Sequence, residues 1–561
     1  MHPALTRLLR LFPFLQWQRP TSASFRADLW AGISVALVLV PQSLAYATLA
    51  GMPPYTGLYA ALLPAVVGIL WGSSPLLAVG PVALTSILVF GSLSAIARPG
   101  SPEWISMAVW LSLYSGILQL ALGALKLGKL AYLVSQPVVT GFINAAAVII
   151  IVSQLPQLLG LELRLGEHGI VEQILQPSTE MLVTAAFGCA ALLLLLLLKR
   201  LAPTLPGILI VTVLGIVLSD LIGYEDLGGA VVGRLPDGLP PLALPPAIPF
   251  DSHRELLPAA LILAVISFTE AMSSCRVLAR KTKTRWDENQ ELIGQGLAKI
   301  TASVSSAFPV SGSFSRSALN LYAGATSPWA SLIATACVLV SLLFFTPYIS
   351  PLPYSVLAAM IMVPVFNLLT PSSFLHLYRI SRDDAVVATV TFIVTIIFTP
   401  KLHYGVFAGL GLTMVTFLYR RAHPRIIEVS RHPDGTLRDR QRFSLPPLSP
   451  RVLAVRMDSA LNFLTGVNLD RFITERIEAS PEVRHVLISA SGINDIDATG
   501  VETLETIHQS LREKGITVYL TNVKKQVWDV LERAGLVARL GTSRIFGTDA
   551  EAMHAMENLQ E

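Results

Sequence analysis

Cysteine is scarce and poorly placed for structural use. The 561-residue chain has three, Cys189, Cys275 and Cys337, each inside an apolar run. A disulfide framework or a zinc site is therefore excluded. Charge is scarce too: 14% of residues carry it, against about 25% in soluble globular proteins. The formal net charge of +4 is too small to imply a nucleic-acid partner. No GxxxxGKS/T phosphate loop is present, so nothing indicates an ATP-driven pump. HExxH pairs and GxSxG elbows are absent as well, and the chain does not read as an enzyme. No signal peptide is evident, because TRLLRLFPFLQWQRP lacks a clean apolar region and reads as an interfacial amphipathic piece.

What the chain does have is apolar surface. Hydrophobic residues make up 53% of it, and the few charges are segregated. Of the 78 Asp, Glu, Lys and Arg residues, 36 fall in the last 137 positions, 425–561. This pattern predicts a membrane domain followed by a soluble one.

A membrane span needs about 20 apolar residues. That ruler places segments near 30–48, 55–71, 82–97, 104–124, 133–159, 180–198 and 206–222. A second set falls near 257–275, 291–308, 315–323, 328–346, 352–366, 384–399 and 404–420. With the N-terminus inside, Arg7, Arg10, Arg19 and Arg26 are cytoplasmic. So are Lys126/Lys129, Lys199/Arg200, the cluster Arg276 to Arg285, Arg379/Arg382 and Arg420/Arg421. The loops at 160–179 and 223–256, poor in Lys and Arg, then fall outside. An even count with both ends inside satisfies this pattern; dropping one span scrambles it.

Two of the fourteen segments are short and begin with polar, Gly- or Pro-containing stretches. One follows AVGPVALTS (Ala78–Ser86), the other VSGSFSRSA (Val310–Ala318). They lie seven spans apart, an odd number, so the two halves run in opposite orientations. Paired interrupted segments in inverted halves mark the midplane binding site of a transporter. Each half-helix offers unpaired backbone N–H groups and a partial positive charge at its N-terminus. Arg316, among Ser311, Ser313, Ser315 and Ser317, adds a full charge at membrane depth. Such a group is expensive there and implies an anion; the plainer alternative is a structural carboxylate partner. Glu270, in LILAVISFTEAMSSC, is the other telling intramembrane charge. Lone carboxylates of this kind build proton relays, the alternative being simple neutralisation of Arg316 or Lys299. Lys299 reads as a snorkelling or cavity-lining lysine without a role in the site.

PQSLAYATLAGMPPYTGLYAALLP (Pro41–Pro64), GPVA (Gly80–Ala83) and GSFSRSALN (Gly312–Asn320) resemble the SulP family of sulfate permeases, solute carrier family 26 in animals. The resemblance implies fourteen spans in a seven-plus-seven inverted repeat, with core and gate domains, and a homodimer. Its implied divisions are a cytoplasmic segment at 1–27 and a transport domain at 28–422. The core would be about 28–130 and 256–350, the gate about 131–222 and 351–422. By the same resemblance the anion site takes Gln42 and Tyr46 from the first span, Val82 and Ala83 from the first half-helix, and Ser313, Phe314, Ser315 and Arg316 from the second. Gln and Ser hydroxyls with backbone N–H donors suit an oxyanion, while Tyr46, Val82 and Phe314 would exclude water. Glu270 is the implied ion-coupling residue; Glu, rather than Asp, at this place goes with protons rather than sodium. Asn144 and Ala145 stand where many members have glycines.

Beyond a polar linker at 423–447, composition alternates between strand and helix. VLAVRM (452–457), RHVLISA (484–490) and ITVYLTN (516–522) read as strands, with amphipathic helices at 467–479, 501–515 and 524–535. A small α/β domain follows, at 448–561, and it resembles a STAS domain. Its loop INDIDATG carries Ala498 where anti-sigma-factor antagonists have a phosphorylatable Ser, so a plain capped helix start is expected there, with a cytoplasmic partner open. The expected protein is a secondary active transporter of a small inorganic anion, sulfate with protons first, in the inner (cell) membrane with cytoplasmic termini. Sodium- or proton-coupled bicarbonate or dicarboxylate uptake, an uncoupled exchanger or channel, and an anion-responsive sensor are the alternatives. No cofactor beyond the coupling ion and no catalytic or metal residue is expected.

Overall fold

The computed structural model describes residues 12–17, 19–129, 134–161, 178–202, 205–236, 238–399 and 401–558. Arg7, Arg10 and most of the 160–179 loop lie outside the described residues. Two compact units divide the chain, 1–413 and 414–561.

The first unit is helical. Its first half contains α1 (Ser22–Leu49), the broken pair α2 (Tyr55–Ala60) and α3 (Leu63–Trp71), then β1 (Ala78–Gly80) with half-helix α4 (Ala83–Leu93). There follow α5 (Pro102–Ala124), α6 (Gln136–Leu159), α7 (Thr179–Leu201) and α8 (Gly207–Ile222). The second half runs α9 (Phe250–Thr282), α10 (Glu288–Val304), β2 (Ser311–Ser313) with half-helix α11 (Phe314–Tyr322), and α12 (Trp329–Val340). A π-turn at Ser341–Phe345 joins α12 to the short α13 (Thr346–Ile349). Then come α14 (Tyr354–Phe366), α15 (Pro371–Ile380), α16 (Arg382–Ile397) and α17 (His403–Ala422). Each half thus repeats the same order of seven spans, with a strand and a short helix third. The fold is a fourteen-span inverted repeat. α15 is additional: its polar face, with His376 and Arg379, failed the 20-residue apolar ruler.

Helix ends follow local chemistry. Thr21 caps α1 through Oγ1, Ser101 caps α5, and Asp287 accepts from Asn289 and Gln290 N–H at the start of α10. Pro64 stands at the second position of α3, where its missing N–H costs nothing, so the second span breaks at Ala61–Leu62. Pro41 inside α1 removes a ladder bond, and Ser43 Oγ donates to the Leu39 carbonyl at 2.6 Å beside it.

Close helix approach requires glycine at several crossings, two of them beside the candidate site's elements. A Cβ on Gly57 would sit 1.8 Å from the Ser43 carbonyl oxygen, so α2 lies directly on the α1 backbone. At the α5–α10 crossing, a Cβ on Gly116 would meet the Gly296 carbonyl at 2.8 Å. The helices fall into two packing sets. In one, α1 lies on α12, and α10 on α3 and α5, with α9 against α5. In the other, α6 packs on α14 and α16, and α14 on α7. α1 also touches α8 and α14, bridging the sets.

The second unit carries a six-stranded sheet in the order β4-β3-β5-β6-β7-β8. Its strands are β3 (Ile426–Arg431), β4 (Leu437–Asp439), β5 (Val452–Met457), β6 (His485–Ser489), β7 (Thr517–Thr521) and β8 (Ile545–Phe546). β5 to β8 are parallel, while β3 runs antiparallel to both neighbours. Helices α18 (Gly466–Ala479), α19 (Ala498–Glu513) and α20 (Lys525–Arg533) precede α21 (Leu536–Leu540) and α22 (Asp549–Asn558). Val455, Ile473, Ile488, Ile507 and Leu531 share one buried core; Val429, Leu487, Met553 and Met556 share another. The linker expected at 423–447 is therefore corrected: it supplies β3 and β4. Ile426 pairs with Met457, and Glu428 forms an ion pair with Arg440, so the polar residues that read as linker are partnered within the sheet. Asp497 caps α19 by accepting the Gly500 N–H at 2.8 Å, the plain helix start expected there.

Candidate anion site

The two half-helices are set by a two-stranded ladder. β1 and β2 pair antiparallel with Ala78 opposite Ser313, Val79 opposite Gly312 and Gly80 opposite Ser311. α11 starts after Ser313, opposite Ala78, and α4 starts beyond Gly80, opposite Ser311, so the two N-termini face each other from the two ends of this short ladder. Val82 and Ser313 are the residues that precede the first helical turns. Ser313 Oγ accepts the Arg316 N–H at 3.3 Å, and Ser317 Oγ accepts the Ala78 N–H at 2.9 Å, tying α11 to β1. No side chain caps α4. Donor groups at its start are left for something else to satisfy.

Arg316 is 1% exposed, and its Nε, Nη1 and Nη2 have no hydrogen-bond partner among the described residues. The guanidinium lies beside Gly80, where an added Cβ would stand 3.3 Å from Nη2. Glu270 Oε2 and Gln42 Oε1 are also buried, and they too have no partner among the described residues. No ion pair joins Arg316 to a carboxylate among the described residues; the charges of Arg316 and Lys299 nonetheless both act on Glu270. Tyr46 feels both Arg316 and Glu270. Gln42, Tyr46, Val82, Ser313 and Arg316 are buried, and Ala83 is half-buried. Phe314 is 50% exposed and Ser315 is exposed. The expectation that Phe314 shields the site from water does not fit this arrangement. α11 turns Arg316, Ser317 and Asn320 inward, which leaves Phe314 and Ser315 on its open side.

Sequence reading gave no role to a second buried network beside this one. Lys299, on α10, is 0% exposed and donates to Gln119 Oε1 at 2.8 Å. Gln119 Nε2 donates in turn to the Ala264 carbonyl and to Ser267 Oγ. The Ser267 carbonyl accepts Ser311 Oγ at 2.8 Å, on β2. A Lys and a Gln inside apolar helices were the available signal. Asn144 also has a structural use: its side chain receives the Thr370 N–H at 2.7 Å and donates to Thr370 Oγ1, fixing the start of α15.

A model of the sulfate permease family matches residues 25–391, and one of the STAS domain matches 447–552. Sulfate transporter 4.1, chloroplastic, of Arabidopsis thaliana is 32% identical over 565 residues, covering 96% of this chain and 81% of that one. A probable sulfate transporter of Mycobacterium tuberculosis is 30% identical over 537 residues, covering 94% and 95%. The chain belongs to the sulfate permease family. Its fold is shared with the murine solute carrier 26 family member A9 anion transporter in its inward-facing state. There the TM-score is 0.87 at 22% identity, over 99% of this chain and 95% of that one. The transmembrane domain of a cyanobacterium bicarbonate transporter, BicA, gives 0.57 at 22% identity, over 70% and 98%. Membership makes this protein a multi-pass membrane transporter of anions with a C-terminal STAS domain.

Proposed function

We propose that this sulfate permease family member takes up sulfate with protons by alternating access. Gln42, Tyr46, Val82, Ala83, Ser313 and Arg316 form its anion pocket, with Phe314 and Ser315 at its open side, and Glu270 carries the coupling proton. One observation carries the reading. Three buried guanidinium nitrogens without partners stand where two half-helix N-termini meet. Buried donors are almost always satisfied, so their natural partner is a ligand, and an oxyanion supplies several acceptors. The sulfate transporters among its relatives favour sulfate as that oxyanion.

Coupling rests on Glu270. A half-buried carboxylate in electrostatic reach of Arg316, its Oε2 buried, competes with an arriving anion for the same positive charge. The anion relieves that attraction, and a proton on Glu270 removes the repulsion between carboxylate and substrate. Anion and proton therefore bind together. The packing set around α1, α3, α5, α9, α10 and α12 is the core of the transport domain, and the set around α6, α7, α14 and α16 the gate. The core moves against the gate. The protein works as a homodimer in the cell membrane, both termini cytoplasmic, its STAS domain open to a cytoplasmic partner.

The test is tracer uptake into proteoliposomes across a panel of sulfate, bicarbonate, chloride, nitrate and small dicarboxylates. The pH and sodium gradients are set independently. Sulfate accumulation driven by an inward proton gradient without sodium is the expected result. Accumulation only with sodium, or flux that merely equilibrates, would exclude proton symport; binding without flux would make the protein a sensor.

A further inference from the structure

We infer that Lys299 is the second positive group of the anion site and sets its preference for divalent over monovalent anions. The inference rests on the pocket proposed above and names the charge class it selects.

Lys299 is placed by side chains that cannot neutralise it. Its Nζ donates to the neutral amide of Gln119, which is 0% exposed and already bonded to Ala264 and Ser267 on α9. Gly116 holds α5 so close that an added Cβ would stand 2.9 Å from Lys299 Cβ. The ammonium therefore has little freedom to reach elsewhere. No carboxylate lies within ion-pair distance among the described residues. The fully buried carboxylates among the described residues of this unit, Glu291 and Asp28, are taken up by other donors. Glu291 Oε2 accepts the Ser73 and Ser74 N–H groups at 2.9 and 3.1 Å, and Glu291 Oε1 accepts from Gln295. Asp28 accepts the Thr326 and Ser327 N–H groups at 2.6 and 3.1 Å. Among the described residues it is Glu270, one turn beyond Ser267 on α9, that shares the field of Lys299, and it shares that of Arg316 as well.

The charges can therefore be counted. With Glu270 ionised, Arg316 and Lys299 leave the site at +1. With Glu270 protonated the site stands at +2. Uncompensated charge away from water is costly, so the site prefers the ligand that completes its balance. A divalent oxyanion arriving with one proton on Glu270 does so. A monovalent anion balances the site only while Glu270 stays ionised, and without Lys299 no protonation state of Glu270 would balance a divalent one. Lys299 acts through its field and its position; the pocket contacts belong to Arg316 and the helix starts.

The experiment uses the full chain in proteoliposomes and reads a ratio: uptake of labelled sulfate against uptake of labelled nitrate at one pH. Lys299→Gln should lower the divalent-to-monovalent ratio by about tenfold, the scale of one unit charge acting through a protein interior. Lys299→Arg keeps the charge and should keep the ratio within about threefold. Gln119→Glu provides an independent route, because a carboxylate in place of the amide neutralises Lys299 without replacing it; the ratio should fall likewise. Monodispersity in detergent confirms that each variant is folded. An unchanged ratio in Lys299→Gln and Gln119→Glu, or equal loss of both anions, overturns the inference and leaves Lys299 as a tie between helices. Wild-type protein without any divalent uptake would instead overturn the proposed substrate, and this inference with it. The two failures are thus separable.

Discussion

Arg316 is a charge whose burial has no compensation inside the described chain. Replacing it by Ala should weaken sulfate binding by tenfold or more, since each hydrogen bond to a charged group contributes about 1.5–3 kcal/mol. Stability should hold or rise, because an unpaired buried charge is removed. Equilibrium binding and thermal melting of the same detergent sample check both halves of this expectation. Ordinary binding by folded Arg316→Ala would remove Arg316 from the site. Glu270→Gln imitates the protonated carboxyl and cannot titrate. It should bind sulfate, carry out anion-for-anion exchange, and lose the acceleration given by an inward proton gradient. Uptake with sodium absent and an imposed pH gradient is the measurement; if Glu270→Gln still concentrates sulfate, another group couples. Both residues were legible in the sequence because a charge inside an apolar run stands out. The exposure of Phe314 was not, since the facing of a short helix depends on what lies against it. The role of Lys299 was hidden for the same reason: which helices meet at Gln119 is a property of packing.

The half-helices keep their geometry only if the elements around them are fixed. Asp28, at the start of α1, gathers the Thr326 and Ser327 backbone and hydroxyl groups just beyond α11. Glu291, on α10, does the same for Ser73 and Ser74 just before β1. Asp28→Asn replaces an acceptor-only group by one with a donor facing donors. It should cost about 1.5–3 kcal/mol, read as a lower melting temperature, and should reduce uptake along with it. Gly57→Ala forces a methyl group into the Ser43 carbonyl, next to Gln42 and Tyr46. A backbone atom cannot yield cheaply, so about 1–3 kcal/mol of overpacking is expected, with loss of transport at intact surface expression. Melting and uptake that match wild type would show that α2 can move off α1. Spans were readable from length and composition, and the half-helices from Gly, Pro and Ser in matching places. Where reading failed, polarity misled it: α15 and β3 each carry enough charged or polar residues to pass for a connection.

At the scale of the molecule, the break in composition near Arg421 is not the edge of the folded C-terminal sheet. β3 lies between β4 and β5, and its Val429 joins Leu437, Met553 and Met556 in a buried cluster. A fragment beginning at Pro424 should therefore unfold in one cooperative step. One beginning at Leu448 leaves the edge of β5 unpaired and part of that cluster open, and should be less stable or self-associate. Denaturant unfolding and light scattering of the two fragments separate the cases. The pH dependence of the longer fragment follows from two histidines. Burial first, then Arg451, holds the His485 imidazole below its ordinary 6.5. Burial, with Arg544, Arg512 and Arg539, does the same to His508. Below 6.5 the unfolded chain binds protons that the folded domain refuses, so stability is full above that value and declines as pH falls through the folded pKa values. His485→Gln with His508→Gln should flatten the decline between pH 7 and pH 5. An unaltered slope in that double variant would mean that carboxylates, not these imidazoles, set the acid response of the domain.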